Sequence, residues 1–76
     1  MITTDEIQSM LEEKLSGAQV NVEDMTGTAD HFEVRVTWEG FRGKGLIEQH
    51  RIVNQALSHA LEDGRIHALK INTKEK

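Results

Sequence analysis

Between His31 and Trp38 apolar and polar residues alternate without a break. Phe32, Val34, Val36 and Trp38 fall on one side, and His31, Glu33, Arg35 and Thr37 on the other. A period of two is the repeat of an extended strand with one buried face, and no helix places residues this way. The segment must therefore be a strand, and its flanks must supply the layer that covers its apolar face.

Upstream, Thr3 and Glu6 fit a capping box, in which each side chain satisfies an unpaired backbone N–H of a helix's first turn. Ile7, Met10, Leu11 and Leu15 then recur at helical spacing until Gly17, so the pattern predicts a helix from about Asp5 to Ser16. Val20 and Val22 alternate with Gln19, Asn21 and Glu23 as in a half-buried strand, and Asp24 to Asp30 reads as turn or loop.

Downstream, Gly40-Phe41-Arg42-Gly43-Lys44-Gly45 is flexible and basic. The helix predicted beyond it puts Leu46, His50, Val53, Leu57, Ala60 and Leu61 on one stripe and stops at Gly64. Ile66 to Thr73 reads as the last strand, with His67, Leu69 and Ile71 on one face and Ala68, Lys70 and Asn72 on the other; Lys74-Glu75-Lys76 is expected to fray. The result is an α+β domain over residues 1–76 in the order αββαβ, a two-layer sandwich with a three-stranded mixed sheet. Strand, helix, strand connections are nearly always right-handed, which makes the last strand parallel to the second and puts both helices on one face.

A chain of 76 residues buries only roughly 60–65% of the surface its unfolded form exposes. With Phe32, Trp38 and Phe41 as its only aromatics, it has little with which to line a deep pocket, and an ordinary small-molecule enzyme is not expected. Cysteine is absent, which excludes disulfides, thiolate metal sites and cysteine nucleophiles. Any metal must be held by His, Asp or Glu, or by a partner's thiols. No apolar run approaches the roughly 18–20 residues of a membrane span, and Met1-Ile2-Thr3-Thr4-Asp5-Glu6 lacks the basic start and apolar stretch of a signal peptide. No membrane partner is expected, and the simplest location is the cytoplasm. The net charge of −4 weighs against a protein built to coat nucleic acid, but residues 1–30 carry seven acids and one base while residues 31–76 carry eight bases and six acids.

Histidine is the unusual stock. His50 and His59 are nine residues apart, about two and a half helical turns, so they point to opposite sides of the helix and cannot share a metal. His59 with Asp63 reads as a solvated pair, and His50, on the apolar stripe, as a packed core or rim residue. His31 begins a strand directly after a loop, and position alone leaves it between an exposed ligand and a strand-edge residue. His67 sits at the start of a strand after the Gly64-Arg65 turn, a placement that suits a ligand, although it shares its face with Leu69 and Ile71 as a core-rim residue would. Glu12-Glu13 and Glu62-Asp63 are adjacent and diverge around their helix, so they do not form a catalytic pair, and no phosphate loop or nucleophile elbow is present. Gly40-Phe41-Arg42-Gly43 spells the GxxG with which KH domains clamp a nucleic-acid backbone, a short string that also makes a plain exposed turn.

Taken in order, His31-Phe32-Glu33-Val34, Phe41-Arg42-Gly43-Lys44, Leu46 to Val53 and Ile66-His67-Ala68-Leu69-Lys70-Ile71-Asn72-Thr73 strongly resemble the BolA-like family over nearly the whole chain. The resemblance implies the αββαβ fold with class II KH-like topology. It also implies a partner of monothiol glutaredoxins that shares a [2Fe–2S] cluster with them and acts in cluster trafficking or iron regulation. The isolated chain, a monomer or weak homodimer, would hold no cluster. In the family the histidine of the HAL motif, here His67, is the expected cluster ligand, with the glutaredoxin thiol and glutathione supplying the sulfurs. The loop Asp24 to Asp30 lacks the second His or Cys common in the family, and His31 is the nearby stand-in. Gln49 replaces the first arginine usual in an RHR motif. The sequence ends at Lys76 without the Pro-Glu-Trp-like extension, from which a reduced docking surface is expected. Some members bind DNA as transcription regulators, an alternative that would use Arg42, Lys44, Arg51 and Lys70, with Arg65 and Lys74 nearby.

Overall fold

The structure, a computed structural model, describes residues 2–27 and 29–76. Its elements are α1 (Thr4–Lys14), β1 (Gln19–Asp24), β2 (His31–Trp38), a 3-10 turn (Glu39–Phe41), α2 (Leu46–Ala56), α3 (Ser58–Glu62) and β3 (Ala68–Glu75). The sheet order is β1-β2-β3, with β1 antiparallel and β3 parallel to the central β2.

The capping box opens α1: Glu6 N–H donates to Thr3 Oγ1 and Thr3 N–H to Glu6 Oε1, both at 3.1 Å. The helix leaves its regular path at Leu15 (φ −114°, ψ 80°), two residues before Gly17 and sooner than the predicted end at Ser16. Leu15 is thereby turned into the core with Ile7 and Leu11, while β2 contributes Phe32, Val34 and Val36 from the face its alternation marked out. Val53, Ala56, Leu57 and Ala60 cover the same side, so the helices form one layer over one sheet face and leave the other open. Each of the valine, leucine, isoleucine and phenylalanine side chains so withdrawn from water contributes about 1.5–3 kcal/mol, and a domain this small depends on all of them.

Three expectations need correction. The second helix is two: Leu57 (φ −108°, ψ 14°) breaks it into α2 and α3 and is itself fully buried. Leu46 is not in the core but 63% exposed, beside Ile47 at 79%. Leu46 lies within about 20° of Val53 around the helix axis, but periodicity fixes an angle about the axis, not whether a neighbour reaches the first turn. The buried position one turn on is Gln49, whose Nε2 donates to Lys44 O at 2.8 Å and whose Oε1 accepts from Thr73 Oγ1 at 2.6 Å. Finally, the last strand starts later and runs further than predicted. Ile66 and His67 precede it, and Lys74 and Glu75, expected to fray, pair with Thr37 and Trp38 because β2 extends that far.

The Gly40-Phe41-Arg42-Gly43 turn is built into the core. Phe41 is fully buried and meets Trp38 edge to face at 5.2 Å, and the Trp38 indole donates from Nε1 to Ser16 O at 2.9 Å. A Cβ on Gly40 would lie 2.5 Å from that ring, so glycine is required there. Arg42 Nε donates to Lys76 O at 3.0 Å, tying the turn to the end of β3. The geometry favours the plain structural turn over a GxxG clamp, since half of the motif is occupied in packing.

Candidate functional site

The loop between β1 and β2 is organised by Asp24. Its Oδ1 accepts from the N–H groups of Thr26 (3.2 Å) and Gly27 (2.8 Å), and its Oδ2 from that of Ala29 (3.0 Å). A carboxylate accepting several main-chain donors replaces the ladder that the loop cannot form with a strand. Ala29 takes a left-handed conformation (φ 60°), and Met25 N–H closes the loop on His31 O at 2.9 Å. Thr28, within the predicted loop, lies outside the described residues.

Asp30 then joins this loop to the other end of the fold. Its main-chain oxygen accepts from His67 N–H at 2.8 Å and from Ala68 N–H at 3.2 Å, just where the parallel ladder begins with His31 opposite Ala68. The strand–helix–strand crossover thus brings the start of β2 and the approach to β3 side by side, although 36 positions separate His31 from His67. The His67 side chain is 63% exposed, and its Nδ1 stands 3.5 Å from Asp30 Oδ2. That separation is long for a hydrogen bond and leaves the imidazole weakly committed. One ligand atom from each of Asp30, His31 and His67 lies within 4.8 Å of the others. A groove beside the cluster is lined by Met25, Thr26, His31, Phe32, Ala68, Leu69 and Lys70, and Met25 is 52% exposed on its rim.

The two histidines predicted as ligands are therefore neighbours in space. Asp30, their third companion, reads in the sequence only as the end of a loop. Its place next to His31 was the available signal, but nothing short of the crossover links it to His67. The remaining histidines stay apart: half-buried His50 is on α2, and exposed His59 on α3 lacks the expected ion pair, because the Asp63 carboxylate turns to Arg65 Nε at 2.8 Å.

The four cations of the nucleic-acid alternative are not gathered into one surface. Lys70 projects from the open face of the sheet, while exposed Arg51 belongs to the helix layer on the opposite side. Arg42 is engaged with the main chain of Lys76. That open face is itself partly neutralised, since Glu33, only 9% exposed, accepts from Asn72 Nδ2 at 2.7 Å and pairs with Arg35 at 3.3 Å.

Residues 8–76 match the family model for BolA-like proteins. This chain belongs to the BolA-like family. It is 40% identical over 72 residues to Protein BOLA2 of Arabidopsis thaliana, covering 93% of this chain and 75% of that one. With BolA-like protein 2 of Mus musculus the identity is 35% over 74 residues, covering 95% and 84%. Among solved structures, BolA1 from Arabidopsis thaliana superposes with a TM-score of 0.85 at 28% identity, covering 99% of this chain and 94% of that one. The BolA-like fold agrees with the α+β order derived from periodicity, and the mixed sheet is compatible with a KH-like topology. Among the described residues no helix is long and apolar enough to cross a membrane.

Proposed function

We propose that this BolA-like protein works without catalysis of its own, as a partner of monothiol glutaredoxins that lends an imidazole to a shared [2Fe–2S] cluster in cluster trafficking or iron regulation. The cytoplasm is the compartment proposed for that work. The observation that carries the reading is the convergence of His31 and His67 at one edge of a chain that contains no cysteine. Such an edge supplies half of a coordination shell and leaves the sulfur ligands to another molecule.

The donor chemistry fits. Two imidazoles replace two thiolates on one iron in known [2Fe–2S] centres, and the exposed His67 can reach a group presented from outside the chain. When bound, the cluster would supply transferable iron and sulfide and a one-electron couple whose potential imidazole ligation raises. The chain's own task is positional. The Asp30 carbonyl holds the His67 and Ala68 amides, and the neighbouring groove with Met25 on its rim offers apolar surface beside the ligand.

The test is to mix the protein with cluster-loaded monothiol glutaredoxin and follow visible absorbance and circular dichroism. Spectra altered by the wild-type protein but not by His67→Ala are expected. Identical spectra with the two proteins would sink the ligand assignment. Binding to glutaredoxin that left no cluster on the complex would instead indicate a docking module that works without metal.

A further inference from the structure

Asp30, His31 and His67 form a ring of one carboxylate oxygen and two imidazole nitrogens, mutually within 4.8 Å, on a chain that needs no partner to assemble it. Two imidazoles and a carboxylate are a familiar donor set for first-row divalent ions, and zinc centres with three protein ligands keep a further position open. Ligand atoms around a tetrahedral zinc stand about 3.3 Å apart, given metal–ligand bonds of about 2.0–2.1 Å. The longest side of the ring must therefore close by at most about 1.5 Å. The exposed His67 side chain has the room to move by rotation about its own bonds without disturbing the core.

The backbone has already brought the three residues together. Asp30 is held to His67 and Ala68 through its carbonyl, His31 is in register with Ala68, and Asp24 fixes the loop that delivers Asp30. Most of the entropy of gathering three ligands from distant points of the sequence is thus met by folding itself, which is the condition for a preorganised site.

We propose that the isolated chain binds one divalent transition-metal ion of the zinc class on Asp30, His31 and His67. The carboxylate, whose Oδ1 also accepts from Thr26 Oγ1 at 3.4 Å, turns its Oδ2 from the 3.5 Å contact with His67 Nδ1 to the ion, and water or a donor from another molecule completes the shell. Among the described residues no other group of three such side chains comes as close together, so the stoichiometry is one. An ion held here occupies the imidazole that a shared cluster would use, and the two exclude each other. That exclusion, unlike the ion site, rests on the role proposed above for His67.

The test uses the full chain without glutaredoxin, titrated with Co²⁺ as a visible probe and with Zn²⁺ by calorimetry. One equivalent is expected, with the visible bands of a four- or five-coordinate cobalt centre. His67→Ala, His31→Ala and Asp30→Asn should each weaken binding about tenfold or more, and His50→Ala and His59→Ala should leave it unchanged. Asp30→Asn retains the main-chain carbonyl, and circular dichroism checks that each variant is folded. Should a variant fail to fold, zinc-induced shifts of imidazole NMR signals in the wild-type protein decide the matter, and they must be confined to His31 and His67. Several weak equivalents, binding moved by His50→Ala or His59→Ala, or affinity untouched by Asp30→Asn would overturn the site. A cluster-sharing assay that fails while cobalt still binds leaves this site standing, and the reverse result removes it alone.

Discussion

Two polar clusters flank β3, one near each end, and they differ in how far their hydrogen bonds are used up. At the far end Gln49 is 9% exposed, donates to the Lys44 carbonyl and accepts from the Thr73 hydroxyl, so both of its polar atoms are engaged inside the fold. At the near end His67 is 63% exposed, with one long contact to Asp30. A buried polar group must be satisfied because desolvation is costly, and once satisfied it has nothing left to offer a ligand. An exposed imidazole held only through its backbone keeps its nitrogens for something else. Gln49 therefore belongs to the architecture, joining the glycine-rich turn, α2 and β3, whereas the exposed His67 imidazole is left to the ligand role proposed for it above.

Removing the closed cluster should have the largest effect on stability. Gln49→Ala strands the Thr73 hydroxyl and the Lys44 carbonyl and opens a small void. The expected loss is about 1–3 kcal/mol, which for a domain of this size lowers the melting temperature by about 4–8 °C per kcal/mol. Thermal unfolding followed by circular dichroism measures it. Cobalt affinity of the folded variant should stay at the wild-type value, and a parallel loss of both would show that the two ends are not independent.

A middle case connects the two ends of the comparison. Asp24 is structural by its bonds, accepting from three main-chain amides, yet the loop it holds ends in Asp30. Asp24→Ala should cost about 0.5–2 kcal/mol, as loss of a capping side chain does, and should also weaken ion binding by leaving the ligand loop to be ordered at the moment of binding. Equilibrium urea unfolding alongside the cobalt titration would show both effects together. A stability loss with unchanged affinity would mean that the ladder alone positions Asp30.

Much of this arrangement was legible before any coordinates. Alternation over His31 to Trp38 gave the central strand and its buried face, the Thr3 and Glu6 pair gave the helix start, and the crossover rule gave a parallel β3. What failed depended on where neighbours stand. Leu46 had the correct angle but no cover, Gln49 is a polar residue whose burial only its two partners justify, and the end of β3 was set by the length of β2. The site followed the same division. His67 stood out in a cysteine-free chain and His31 entered only as its stand-in under the family resemblance, while their adjacency and the inclusion of Asp30 are products of topology, to which local spacing is blind.

The smallest expected effect is the sharpest test of the contrast. If His67 is placed by its backbone and by nothing its side chain does, His67→Ala should change stability by no more than about 0.5 kcal/mol, as an exposed substitution away from core and caps does. The His67 and Ala68 amides would still donate to the Asp30 carbonyl, and Ile66, 2% exposed, would still anchor the approach to β3 in the core. A melting curve that overlays the wild type, beside an abolished cobalt spectrum, would separate function from fold in one residue. A loss of 2 kcal/mol or so, of the order of leaving a buried polar partner unpaired, would instead mean that the imidazole and the Asp30 carboxylate form a structural pair. The near end of β3 would then resemble the closed cluster around Gln49, and its claim to ligand chemistry would fall with the difference.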